Sequence, residues 1–298
     1  MKRIIVTSFG VFFFTAAIWV VLFMTGQTFK YPDEHRPFLR NEFEVIAHRG
    51  GAFEAPENTL EAFANAASVS PNVIFEMDIH FTKDQQIVVI HDETVDRTTN
   101  GHGFVKDLTL AQIKELDAGY NFKDQKTGEY TWRGKGVKIP LLSEVFDKFP
   151  DRRMLIEVKP NSSELAEAFY NMAKKYNRLD KTVFTSEHGP VIRYQRTLDA
   201  SILTAAPSDE VLKAVMLASI GLEAWDKMPA DMFCIPEKQD GIQVFSQELL
   251  REANKRNKKV FIWTIDNESD MSRLIKENVN GLITDRPKAL ASLQNQLK

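Results

Sequence analysis

The sequence predicts an α/β fold: a (β/α)8 TIM barrel with a small inserted subdomain, preceded by an N-terminal transmembrane helix. Three observations carry this. Short β-branched runs alternate with capped helical segments about eight times between Phe43 and Lys298. That alternation builds a parallel sheet with helical crossovers, and ~250 residues suits a closed barrel. Chemistry-bearing residues stand at the ends of several of these runs, where a barrel gathers its site. Neither a second linker nor a low-complexity tract interrupts the stretch. An open doubly wound sheet is the alternative, but the first strand is not followed by the G-x-G-x-x-G of its dinucleotide-binding form.

The N-terminus comes first. No charged residue occurs from Ile4 to Phe29, and IIVTSFGVFFFTAAIWVVLFM is long enough to cross a ~30 Å hydrocarbon core. Lys2 and Arg3 precede it, so the positive-inside rule puts the N-terminus in the cytoplasm and the body of the protein across the membrane. The competing reading, a cleaved signal peptide, fits less well: the run is long and lacks an A-x-A-like site. Residues 1–29 are thus expected to be an anchor, 30–42 (KYPDEHRPFLRNE) a linker, and 43–298 the barrel domain, with an insertion at about 92–139.

Composition narrows the function. The chain is 43% hydrophobic, enough for a real core. Its net charge is −3, and the first 42 residues hold five Lys/Arg and three Asp/Glu, leaving −5 on the rest. Nucleic-acid binding would need a basic stripe and is not expected. The single cysteine, Cys234, excludes a disulfide scaffold and a four-cysteine zinc site.

Strands are expected at Glu44–Ala47, Val73–Ile79, Gln86–Ile90, Met154–Val158, Thr182–Thr185, Ser201–Thr204, Met232–Ile235, Val260–Ile265 and Gly281–Ile283. Helix starts are expected at Asn58 with Glu61, at Asn161 with Glu164, and after Ser246 and Asn267. Asp92–Ile139 breaks the alternation, with one short helix at Thr109–Leu116, and reads as an insertion in a βα connection.

The first strand ends in His48-Arg49-Gly50-Gly51, a candidate acid/base, a two-pronged phosphate grip and a tight turn. In Phe75-Glu76-Met77-Asp78-Ile79-His80, residues two apart share a face. Glu76 and Asp78 therefore point together, with His80 if the strand continues. Two carboxylates in an apolar strand call for a cation, a shared proton or water. A solvated edge strand is the plainer alternative, opposed by the apolar run before Glu76. In Leu155-Ile156-Glu157-Val158-Lys159, Glu157 can add a third metal ligand and Lys159 a charge for phosphate, or the two can form an internal ion pair. His91 follows the apolar Ile87–Ile90 run. His188 also follows a strand, whereas His35 lies in the linker and His102 in a Gly-rich loop. Trp263 is either core or a wall for a substrate head group. Together these residues fit metal-assisted phosphoryl transfer. P-loop, G-x-S-x-G and H-E-x-x-H motifs are absent from the sequence.

The ordered motifs AHRGG, APENTLEAF, FEMDIHFTKDQQIVVIHDETVDRTTNG, IPLLSEVF, IEVKP, FIWTIDN and GLITDRP, from about Val45 to Pro287, resemble the glycerophosphodiester phosphodiesterase family. The resemblance implies hydrolysis of glycerophosphodiesters to glycerol 3-phosphate and an alcohol. It makes His48 and His91 the acid/base pair, and Arg49 and Lys159 phosphate contacts. It assigns Glu76, Asp78 and Glu157 to one divalent cation, Mg²⁺ or Ca²⁺. Glu57 and Asn58 belong to the PENT signature, and the insertion would shape the head-group pocket. AHRGGA and the E-x-D-x-H-x-T-K-D pattern are similar to membrane-anchored lysophospholipase D members, which makes a lysophospholipid a second candidate substrate. Leu141 stands where the family often has threonine, and Glu157 where those anchored members can carry aspartate. Spider sphingomyelinase D enzymes share similar positions, but their disulfides have no counterpart here. A catalytically inert phosphodiester-binding barrel and a barrel phosphomonoesterase are the remaining alternatives.

Overall fold

The computed structural model describes residues 15–26, 28–29, 38–40 and 42–297. Eight parallel strands form the barrel: β1 (Glu44–Ala47), β2 (Ile74–Phe81), β4 (Met154–Val158), β5 (Thr182–Thr185), β6 (Leu203–Thr204), β7 (Met232–Ile235), β10 (Lys259–Ile262) and β11 (Gly281–Thr284). They neighbour one another in the order β6-β5-β4-β2-β1-β11-β10-β7. A single parallel bridge, Ala205 to Met232, joins β6 to β7 and completes the ring. The expected barrel is therefore present, with four of its eight strand ranges shifted by one to three residues.

β3 (Ile87–Val89) is a correction. It was expected to alternate with the barrel strands, yet it pairs antiparallel with β2, Val89 opposite Ile79. Only Thr82–Gln86 separate the two, and a parallel crossover needs a dozen or more residues. Gln85 turns the chain at φ 56°, and the Gln86 backbone N–H donates to the Thr82 hydroxyl at 2.9 Å.

The helices are 15–26 (α1), α2 (Leu60–Val69), α3 (Leu110–Glu115), α4 (Leu142–Lys148), α5 (Ser163–Lys175), α6 (Gly189–Leu198), α7 (Ser208–Ser219), α8 (Gln247–Lys255), α9 (Glu268–Lys276) and α10 (Pro287–Leu297). A two-stranded hairpin, β8 (Lys238–Gln239) and β9 (Ile242–Gln243), follows β7. Ser246 and Asn267 cap α8 and α9 as expected. Two caps move by one residue: Thr59 accepts from Ala62 N–H and Ser162 from Leu165 N–H, in place of Asn58 and Asn161.

Inside the barrel, Ile46, Ile74, Leu155, Val183, Leu203, Met232, Phe261 and Ile283 pack together, and Phe38 joins them. Arg153, ahead of β4, donates to the Phe38 carbonyl and grips Glu44 with two bonds of 2.6 and 2.7 Å. Phe38 thus lies at the N-terminal end of the strands. Two residues further along the same inward faces come His48, Glu76, Glu157, Cys234, Trp263 and Asp285. The apolar floor and the polar top follow from one period-two pattern. A larger apolar layer packs the outer faces against the helices. The insertion has its own small core, including Val95, Val105, Ile113 and Val137 packed on Val88 and Ile90.

No helix among the described residues is long and apolar enough to cross a membrane. The expected span falls partly on residues 1–14, and most of the expected linker on 30–37, outside the described residues; so does His35.

Candidate active site

One pocket of about 460 Å³ opens where the barrel strands end. His48, Arg49, Glu76, Asp78, His91, Glu157, Lys159 and Trp263 all line it. The other histidines among the described residues do not. His80 donates through Nε2 to the His91 carbonyl at 3.1 Å, so it braces the loop that carries His91. His102 pairs with Asp96 at 3.1 Å, and His188 sits at the start of α6.

The turn after β1 is tight. Arg49 has φ 51° and Gly50 φ 84°. A Cβ on Gly50 would sit 2.7 Å from the Ala62 Cβ, so backbone sign and space both require glycine. This turn aims the Arg49 backbone N–H at Glu76 Oε2, 2.8 Å away. The Arg49 guanidinium reaches Glu57 at 3.0 Å and Asp78 at 3.6 Å.

Parallel pairing of β2 with β4 sets Asp78 beside Glu157. One carboxylate oxygen from each of Glu76, Asp78 and Glu157 lies within 4.8 Å of the others. Lys159 Nζ approaches Glu157 at 3.2 Å and Asp78 at 3.5 Å. Asn58 donates to Asp78 Oδ2 at 2.9 Å, so this residue holds a carboxylate rather than capping α2. Burial and the Asp78 charge push Glu76 up to about 7 and Glu157 up to about 8. Burial opposes the Asp78 charge as well, but Lys159 and Arg49 overcome it and hold that carboxyl below its ordinary value. The cluster thus has more negative charge than its own cations can balance. Three hard oxygen donors at this spacing fit a divalent cation such as Mg²⁺ or Ca²⁺.

Each pocket histidine rests its Nδ1 on a carboxylate. His48 donates to Asp285 at 2.7 Å and His91 to Asp92 at 2.7 Å. A carboxylate only accepts, so Nδ1 carries the proton and Nε2 is left for substrate. Burial acts to lower His48, but the Asp285 hydrogen bond and the Glu76 charge raise it overall. Burial lowers His91, with Asp78 only partly offsetting it. Asp285 is held in turn by its own backbone N–H, which donates to Asp266 at 2.8 Å.

Asp285, Asp92 and Arg97 escape a residue-by-residue reading of the sequence. Arg97 binds Glu57 through two bonds of 2.7 Å and Asp92 through bonds of 2.7 and 3.0 Å. It therefore ties the carboxylate behind Arg49 to the carboxylate behind His91. The available signal was that GLITDRP and HDETVDRTTNG recur among the motifs that carry the family resemblance.

Comparison with known proteins places the chain in a family. The sequence profile described as "Glycerophosphoryl diester phosphodiesterase family" matches residues 48–289. A glycerophosphodiester phosphodiesterase of Caldanaerobacter subterraneus subsp. tengcongensis is 36% identical over 254 residues, 84% of this chain and 96% of that protein. Lysophospholipase D GDPD1 of Homo sapiens is 28% identical over 309 residues, 95% of this chain and 97% of that protein. Among solved structures, a phosphodiesterase of Oleispira antarctica in complex with the product sn-glycerol-3-phosphate superposes with TM-score 0.66 at 22% identity. It covers 87% of this chain and 98% of that one. The profile spans every pocket residue derived above, and this chain belongs to the glycerophosphoryl diester phosphodiesterase family.

Proposed function

We propose that this chain hydrolyses glycerophosphodiesters to glycerol 3-phosphate and an alcohol. One observation carries the reading: two histidines, two cations and a three-carboxylate cluster converge on a single pocket from separate strand ends. Glu76, Asp78 and Glu157 would hold one divalent cation, Mg²⁺ or Ca²⁺, which when bound supplies Lewis-acid polarisation of a phosphoryl oxygen. Arg49 and Lys159 neutralise charge on the remaining phosphate oxygens. One histidine takes a proton at Nε2 from the nucleophile, and the other gives one to the leaving alkoxide. Trp263 walls the head-group side.

The test strips the full chain in detergent with chelator, restores Mg²⁺ or Ca²⁺, and follows choline release from glycerophosphocholine. Metal-dependent release is expected, and His48→Ala or His91→Ala should lower it by about 10²–10⁴. Absence of release from any glycerophosphodiester would overturn the reading.

A second reading, release of a head group from a lysophospholipid, is favoured by one feature. Apolar side chains of α7 and the β8–β9 hairpin, Val211, Leu212, Val215 and Ile242, also line the pocket. A single-pass N-terminal anchor with a cytoplasmic N-terminus, and the barrel on the far side of the membrane, would suit such a substrate. The uncharged run from Ile4 to Phe29 supports that placement.

A further inference from the structure

We infer that the outer face of α7, together with α1, rests on a phospholipid bilayer and brings the pocket mouth to the lipid surface. This rests on the phosphodiesterase reading and adds where the enzyme meets its substrate.

The exposed apolar side chains are gathered on one side. Among the described residues, sixteen large hydrophobic side chains are exposed, and eleven belong to α1 and its flank, α7, Trp225 and the β8–β9 hairpin. Leu212, Met216 and Ile220 recur every four residues along α7 and just past it, so they share one helix side. They are 57%, 60% and 52% exposed. The upper end of this stripe is part of the pocket, because Leu212 lines it, as does the exposed Ile242. The lower end meets α1. Trp19 donates its indole N–H to the Ile220 carbonyl at 2.7 Å, and Trp225 donates its own to the Leu22 carbonyl at 2.9 Å. Trp19 and Phe23 pack over Gly221, and Phe29 sits edge-on to Trp225 at 5.0 Å.

Charge beside the stripe is paired. α7 has three charged residues, and each is in an ion pair: Asp209 with Arg193, Glu210 with Arg196, and Lys213 with Asp226, Asp209 and Lys213 being half-exposed on the same helix side. The stripe from pocket mouth to α1 is thus apolar with its α7 charges neutralised in pairs. In sequence, α1 lies inside the uncharged run from Ile4 to Phe29. A second copy of this chain could cover α7 but would leave that run without a partner. A bilayer accommodates both, and indoles favour its interface. Lipid would then approach with its head group toward Arg49 and Lys159 and its apolar part along Leu212.

The test uses the full chain reconstituted in phosphatidylcholine vesicles. Met216→Cys, and Ala64→Cys on the exposed face of α2 across the barrel, are each labelled with an environment-sensitive fluorophore, with wild type giving the Cys234 background. Quenching by spin-labelled lipid is expected at position 216 and not at 64. Equal, unquenched emission at both positions overturns the proposal. So does a label at 216 that is shielded in lipid-free detergent by a dimer seen in sedimentation. In a second arm, Met216→Glu with Ile220→Glu, both off the pocket, should lower lysophosphatidylcholine turnover in vesicles by about tenfold while glycerophosphocholine turnover holds. Equal turnover of the vesicle lipid by variant and wild type overturns the proposal; if the glutamates impair folding, the paired serine variants are used. A wild type that is quenched at 216 but releases no choline from either substrate would defeat the phosphodiesterase reading and leave the docking face standing.

Discussion

The two pocket histidines are equivalent in one respect and opposite in another. Each has its Nδ1 on a carboxylate, yet His48 is raised and His91 lowered relative to free imidazole. Replacing Asp285 by Asn removes the negative charge and puts an amide N–H₂ that can donate to Nδ1 in its place, so the His48 tautomer is no longer fixed and kcat should fall by about 10² or more with KM little changed. Steady-state kinetics on glycerophosphocholine checks this, and an unchanged kcat would remove Asp285 from the machinery. Arg97→Ala should free both Glu57 and Asp92 and lower kcat by about 10–10², the scale of a small misplacement of catalytic groups. Arg97→Lys should recover little, because a lysine cannot reproduce two forked contacts. The clustering of the carboxylates was legible in the sequence because period two forces Glu76 and Asp78 onto one face. Asp285 was not, because its partner lies 237 residues away and no local spacing rule links them.

At the scale of elements, Asn58 and Thr59 separate two jobs that the sequence merges. Thr59→Ala should cost about 1 kcal/mol through the lost α2 cap and leave metal affinity intact. Asn58→Ala should weaken metal binding by freeing Asp78 while the cap survives. Denaturant midpoints and calorimetric metal titration would distinguish them; a reversed pattern would refute the assignment. Strand cores such as Met154–Val158 and Met232–Ile235 match their expected ranges, since strands buried on both faces read as continuous apolar runs. β3 was misplaced because its composition is that of a barrel strand, and only the shortness of the Thr82–Gln86 link reveals the hairpin.

For the whole molecule, the carboxylate cluster makes stability without metal depend on pH. Glu76 and Glu157 are pushed up to about 7 and about 8, against an ordinary value of 4.5. Between those limits the folded chain holds more protons than the unfolded chain, so stability falls as pH rises. Chelated protein should melt at progressively lower temperature from pH 5 to 8, and added Mg²⁺ or Ca²⁺ should raise the melting temperature most at pH 8. A flat profile would contradict the charge imbalance described for the site. The barrel class was legible from strand–helix alternation, whereas the packing of α1 on Ile220 and Trp225 was not, because it joins segments some 200 residues apart. The ring also has a seam. β6 is two residues long, and a single bridge ties it to β7, whereas β2 and β4 pair over five residues. Opening costs least where fewest backbone bonds must break together, so amide hydrogen exchange should be faster at Ala205 and Ala206 than in β2 or β4. A ring fastened at one clasp can loosen there while the half that carries the carboxylate cluster stays shut.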